Sequence, residues 1–286
     1  MIVSDGTLPA AEPSATRPPR DVVAVVLAGG LGKRMQSDLP KVLHRLNGRP
    51  LIDHVIERVR MAGVDDVILV VGHRREAIQE HMGDSFRYAV QEQPQGTAHA
   101  VMIARPLLER HTGRVLVVYG DMPLLNPDSM RRLIERCQGE VKAAILTIVL
   151  DNPPDFGRVV RDAGGRIQRI VEVRDADPAT LAIHEVNVGT YCFDGPALLA
   201  ALGHLSNDNA QGEYYLTDVA EHIVAAGGRV ESIVAPTPEE TLGINNPAQL
   251  RFAEALQHLD YAESLYPLVD ADPAIVRPSH APGSPP

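Results

Sequence analysis

Residues Val22 to Pro50 read VVAVVLAGGLGKRMQSDLPKVLHRLNGRP. A β-branched run, 22–27, is the pattern of a strand buried in a parallel sheet, and it stops at Leu27 and Ala28 before three glycines, Gly29, Gly30 and Gly32. Glycines at the end of such a strand let the backbone approach an anion so that successive N–H groups point at its oxygens. The cations Lys33, Arg34 and Lys41 follow. Amides and cations together make a cradle for a nucleoside triphosphate, with Leu27, Ala28, Gly29 and Gly30 as its nucleotide-binding wall.

Two familiar glycine loops are excluded by spacing. The dinucleotide fingerprint requires a third glycine three residues after the second, where Gly30-Leu31-Gly32 leads instead to Lys33, Arg34 and Met35. The Walker A loop requires four residues between its glycines and a Ser or Thr after its lysine, and Arg34 follows Lys33 here.

Outward from this stretch, strand-like runs at 66–71 and 114–119 alternate with helical patterns at 51–62, 74–82 and 97–110, which predicts a mostly parallel sheet of βαβ units. Ligands of such sheets bind at the carboxyl ends of the strands, where the glycine turn and Gly120-Asp121 both emerge. After Leu150 short strands at 157–161, 167–173 and 185–193 predict a more antiparallel lobe over about 151–215. Helices at 195–204, 216–226 and 247–259 and a strand at 229–235 return the chain to the main body.

A chain of 286 residues, 44% hydrophobic, can bury one large α/β core over 21–260. Its net charge of −10 opposes a nucleic-acid surface and favours a small anion in a local basic pocket. Cys137 and Cys192 show neither disulfide nor metal spacing, as a reducing cytoplasm permits. Residues 1–20 lack an apolar signal segment and read as a disordered extension, 261–286 as a Pro-rich tail. No run is long enough to span a membrane.

Further motifs recur in order: QPQGTAHA at 93–100, VVYGDMPLL at 117–125, FGRVVRD at 156–162, IVEVRDA at 170–176, EVNVGTY at 185–191, NDNAQGEYYLTD at 207–218 and GINNPAQL at 243–250. With LAGGxGxRM and LPKVL, this series resembles the sugar-1-phosphate nucleotidylyltransferases from about Asp21 to Leu259. It is most similar to the uridylyltransferase half of the bacterial bifunctional N-acetylglucosamine-1-phosphate uridyltransferases. Those enzymes continue into a β-helix of hexapeptide repeats that carries acetyltransfer and builds a trimer. No such repeat follows Leu259, so the resemblance supports uridylyl transfer alone and leaves oligomeric state open.

The resemblance implies a Rossmann-like nucleotidyltransferase fold with an inserted sugar-binding lobe. The implied reaction is attack by N-acetylglucosamine-1-phosphate on the α-phosphorus of UTP, with Mg2+ as cofactor. Both partners are anions, so the protein must position them and stabilise the charge developing at phosphorus. Arg34 and Lys41 suit that catalytic task. Asp121 is the candidate metal ligand, since hard cations prefer oxygen donors, and the resemblance adds Asn245 as its companion. Turn chemistry before Pro247 would also explain an asparagine there. Uracil recognition falls to Gln91, Gly96 and Thr97; the sugar phosphate falls to Tyr119, Gly120, Gly157, Glu172, Asn187 and Thr217. The sequence departs from the family at Pro94, where a second Gln is usual, and at Gly29, Lys33 and Phe156. Two alternatives stand beside this reading: a nucleotidylyltransferase for another NTP or sugar phosphate, and a non-catalytic nucleotide-sugar sensor, which could dispense with the metal ligands.

Overall fold

The structure is a computed structural model and describes residues 21–30 and 32–265. In chain order the strands are β1 (Val22–Leu27), β2 (Arg45–Leu46), β3 (Arg49–Pro50), β4 (Asp66–Val71), β5 (Arg87–Val90), β6 (Arg114–Tyr119), β7 (Val141–Val149), β8 (Arg158–Arg161), β9 (Ile167–Val171), β10 (Glu185–Asp194) and β11 (Arg229–Val234). The helices are α1 (Leu51–Met61), α2 (Arg75–Met82), α3 (Thr97–Leu108), α4 (Pro127–Arg136), α5 (Pro178–Leu181), α6 (Gly195–Leu202), α7 (Asp218–Ala225) and α8 (Pro247–Leu265).

The fold is α/β around a mostly parallel sheet of order β11-β7-β10-β6-β1-β4-β5. β1 pairs in parallel with β4 and β6, which places Leu27 opposite both Val70 and Tyr119 at the carboxyl edge. β10 alone on this path runs antiparallel to its neighbours β6 and β7, and it carries the antiparallel ribbon β8-β9.

Period-two alternation splits β1 between two cores. Val22, Ala24 and Val26 join Ile52, Val55, Ile56 and Val59 of α1 on one face. Val23 and Val25 join Ala98, Val101, Ala104 and Leu108 of α3 on the other. Each buried Val or Ile contributes about 1.5–3 kcal/mol of transfer free energy, so the central strand is clamped from both sides.

Six elements have no counterpart in the sequence reading: the two-residue strands β2 and β3, the four-residue helix α5, and β5, β7 and α4. β5 is only four residues long. β7, VKAAILTIV, is buried on both faces except at its ends, and so lacks the alternation that marks a half-buried strand. α4 is short and arginine-rich, but Asn126 caps it by accepting from Asp128 N–H. Glu172 and Thr217 lie just outside the elements expected to contain them, because β9 ends at Val171 and α7 begins at Asp218. α8 continues to Leu265, past its expected end at 259 and into the segment read as tail. The extension 1–20 and the remainder of the tail, 266–286, lie outside the described residues. Cys137 and Cys192 are free and buried. No helix among the described residues is long and apolar enough to cross a membrane.

Candidate active site

The glycine turn lies across the ends of three strands. Ala28 N–H bonds the Val70 carbonyl at 2.8 Å and Gly120 N–H bonds the Leu27 carbonyl at 2.9 Å, so the turn and the Gly120-Asp121 segment share one edge. Two 3₁₀ turns, Lys33–Met35 and Lys41–Leu43, bring Arg34 and Lys41 back over it, anchored by buried Met35, Val42 and Leu43.

Lys41 and Asp121 form an ion pair with both side chains largely shielded from water. The Lys41 ammonium also donates to Asn245 Oδ1 at 2.9 Å, and Arg34 Nη2 donates to the same oxygen at 3.0 Å. The sequence-distant pair Asp121 and Asn245 therefore offers two oxygens to one cationic group. Ile244 explains how: its N–H bonds the Asp121 carbonyl at 2.9 Å and its fully buried side chain packs with Leu46, Leu51 and Ala253. Asn245 donates its own amide to the Gly243 carbonyl at 3.1 Å, which turns Oδ1 toward the cations. Capping chemistry before Pro247 falls instead to Asn246, whose Oδ1 accepts from Gln249 N–H at 2.9 Å.

Gln91 is buried at the end of β5, its N–H bonded to the Val71 carbonyl at 2.8 Å. Gly96 has φ of +112° and backs directly onto Tyr214, where any Cβ would collide with the backbone. Tyr214 N–H bonds the Gln95 carbonyl and Ala98 N–H bonds the Tyr214 carbonyl, while Thr97 Oγ1 accepts from Leu216 N–H at 3.0 Å. The loop 91–97 is thereby pinned to the segment 214–216. A cavity of about 280 Å³ opens beside it, lined by Gly29, Gly72, Arg74, Glu92 and Pro94 among others.

At the far end Thr217 donates to Glu172 Oε1 at 3.0 Å. Burial raises the Glu172 carboxyl above its ordinary value, Thr217 opposes the rise, and Asp175 adds to it. Glu172 is thus no exposed strand carboxylate. Gly157 faces it, with a hypothetical Cβ 3.5 Å from Oε1, and accepts from Asn187 N–H at 2.9 Å. Asn187 is buried within a register shift of β10, donating to Tyr191 Oη at 2.7 Å and accepting from Gly189 N–H at 3.2 Å. Gly189, at φ of +94°, lies under the Tyr119 ring. Burial, then the Glu172 and Asp121 carboxylates, push the Tyr119 phenol well above its ordinary value, which places Tyr119 between the two ends.

Nothing in the sequence reading singled out His99, Gly189 or Asp218. His99 pairs with Gln91, and Asp218 follows Thr217; burial first, then Glu221, Glu172 and Asp175, push the Asp218 carboxyl up to about 6. All three sit inside the recurring motifs, so their signal was position rather than residue type. Another concavity, about 1190 Å³ around Arg161, Lys142 and Arg229, lies away from this crevice, and those cations are paired with Glu185, Asp194 and Glu231.

The MobA-like NTP transferase domain model matches residues 24–213, spanning both strand ends, the loop 91–97 and most of the far end. The chain belongs to that family. It is 47% identical over 234 residues to the bifunctional protein GlmU of Geobacillus sp. (strain WCH70), covering 82% of this chain and 51% of that protein. It is 45% identical over 233 residues to the GlmU of Brevibacillus brevis, covering 81% and 50%, and 44% identical over 235 residues to that of Caldanaerobacter subterraneus, covering 82% and 51%. The chain spans about half the length of these relatives. As an NTP transferase domain it has a glycine turn, the pinned loop 91–97 and a charged cluster on one sheet edge.

Proposed function

We propose that this chain transfers UMP from UTP to N-acetylglucosamine-1-phosphate, releasing pyrophosphate. The observation that carries the reading is the convergence of Lys41, Arg34, Asp121 and Asn245 on one point beside the glycine turn. The resemblance of the ordered motifs to uridylyltransferases supports the choice of nucleotide and sugar.

The sugar phosphate oxygen attacks the α-phosphorus and pyrophosphate leaves in line, so the side chains position and neutralise and supply no covalent nucleophile. The turn amides at Gly29 and Gly30 face the triphosphate. Lys41 and Arg34 stabilise charge on the phosphoryl oxygens as it develops. The Asp121 carboxylate and Asn245 amide oxygen suit a hard divalent cation, and their meeting at one ammonium marks a place built for positive charge. Asp121 and Asn245 are the residues that would hold Mg2+, and such an ion would complete its coordination with phosphates and water. When bound, the ion draws charge from the phosphate oxygens. At the far end Glu172, Thr217 and Asn187 fit sugar hydroxyls and an N-acetyl group, and Tyr119 spans the two ends.

The test is pyrophosphate release from UTP with N-acetylglucosamine-1-phosphate, with and without Mg2+. Turnover that requires the metal and the sugar phosphate is the expected result. A preference for dTTP or GTP in competition overturns the uridylyl assignment, and binding of the nucleotide sugar without turnover returns the chain to a sensor.

A further inference from the structure

We propose that His99 is a positioning residue that sets nucleobase choice, by locking the Gln91 amide so that it presents only its oxygen to the base. The proposal rests on the reading above in one respect, that Gln91 faces the base.

Three contacts define the amide. Gln91 Nε2 lies 2.9 Å from His99 Nδ1 and 3.5 Å from the Gly96 carbonyl oxygen, and Oε1 points the other way, 3.3 Å from where a Cβ on Gly29 would stand. A carbonyl oxygen only accepts, so the Gln91 atom beside Gly96 has to be the NH₂ group. His99 Nδ1 must then accept the second amide proton, which assigns the ring as the Nε2–H tautomer. Burial lowers the His99 pKa below its ordinary value, in keeping with a neutral ring that has a lone pair to offer. Flipping the amide would set Oε1 against the Gly96 carbonyl and the Nδ1 lone pair, two repulsions in a buried place. Gln91 itself is only 5% exposed.

Oε1 is left as a fixed acceptor beside Gly29, a residue that itself lines the cavity by the glycine turn. A fixed acceptor matches the imide N–H of uracil or thymine and repels the bare ring nitrogen that cytosine carries in the same position. A site built to exchange a hydrogen bond with its ligand rejects an analogue that leaves the group unpaired. An unlocked glutamine would serve either base by turning over. His99 therefore acts on choice between pyrimidines, through Gln91, and not on the phosphates.

Two experiments test this. The first reads the histidine tautomer in the unmodified chain by long-range proton–nitrogen NMR correlation. Nδ1 without a proton is expected, and an Nδ1–H tautomer overturns the proposal, because Gln91 would then have to turn its NH₂ to the base. The second measures UTP and CTP binding by calorimetry for the unmodified chain, His99→Leu and His99→Gln. His99→Leu keeps bulk against Tyr214 but loses the acceptor, and the UTP:CTP affinity ratio should fall by about tenfold or more. His99→Gln restores an acceptor and should recover much of that ratio. A ratio within about twofold of the unmodified chain in a folded His99→Leu overturns the proposal, as does an unmodified chain that does not prefer UTP to CTP. If His99→Leu does not fold, the tautomer decides. Binding is read without sugar phosphate, so failure of UMP transfer counts against the proposed reaction and not against this inference.

Discussion

At the carboxyl ends of β1 and β6, charged side chains meet because loops far apart in sequence fold onto one another, whereas around β9 and β10 Asn187 and Gly189 are fixed within one strand and Glu172, just past the end of β9, is held by Thr217. Lys41 arrives on a 3₁₀ turn and Asn245 on the loop before α8, and each is held by the other's charge or dipole. Asn187 and Gly189 occupy one irregular strand, and Tyr119 fits over a residue that has no Cβ. Under the proposed function, the phosphate end is an electrostatic device whose members act on developing charge, and the sugar end is a shaped one whose members select.

That contrast orders the expected effects of substitution. The largest belong to the phosphate end. Asp121→Asn keeps shape but removes the formal charge among the proposed metal ligands, and turnover should fall by more than about 10³, with Lys41→Ala following at about 10² to 10³ in kcat. Steady-state kinetics check both. A Lys41→Ala that raises KM at unchanged kcat would assign the lysine to ground-state binding only.

A smaller effect is expected from Gly189→Ala. Its Cβ would stand 2.8 Å from Tyr119 Cε2 at a φ of +94°, so the ring has to shift. Stability should fall by about 1–3 kcal/mol, and KM for the sugar phosphate should rise more than kcat falls. Chemical denaturation and kinetics on the same preparation separate the two. Equal loss of kcat with unchanged KM would mean that the sugar end shapes the reaction step as well.

Smaller still is a pH effect. Folding moves the Asp218 carboxyl from an ordinary 3.8 up to about 6, so the folded chain binds more protons than the unfolded one within that window. Stability from this group therefore falls as pH rises from about 4 to about 6, which is the opposite of the behaviour of a salt-bridged carboxylate. Asp218 is partly exposed, and water screening leaves on the order of 1 kcal/mol, or about 2–4 °C in Tm. Asp218→Asn should flatten the melting temperature across that range, and an unchanged slope would show that the titration lies elsewhere.

Much of this architecture was legible in the chain. The run at 22–27 and the glycines after it announce a strand end with an anion cradle, because β-branched burial and backbone approach leave marks in residue type. The helical stripe of α1 was equally plain. β7 was not, since a strand buried on both faces has no alternation and shares its composition with a buried helix. The meeting of Asp121 with Asn245 was proposed from motif order alone. What achieves it is the Ile244 anchor and the hydrogen bond to the Asp121 carbonyl, which no local pattern shows. His99 went unread for a related reason: its importance lies in which lone pair it offers to Gln91, a matter of geometry and not of residue type.

The central claim is that Asp121 and Asn245 act as one cation-binding unit at the phosphate end, and a double-mutant cycle tests it most directly. The quantity to measure is the Mg2+ concentration for half-maximal pyrophosphate release in the unmodified chain, Asn245→Ala, Asp121→Glu and the double variant; Asp121→Glu retains charge and therefore measurable turnover. Two ligands of one ion should couple, with the double variant little worse than the weaker single one. Fully additive losses would mean that the two residues serve separate tasks, and would contradict the account.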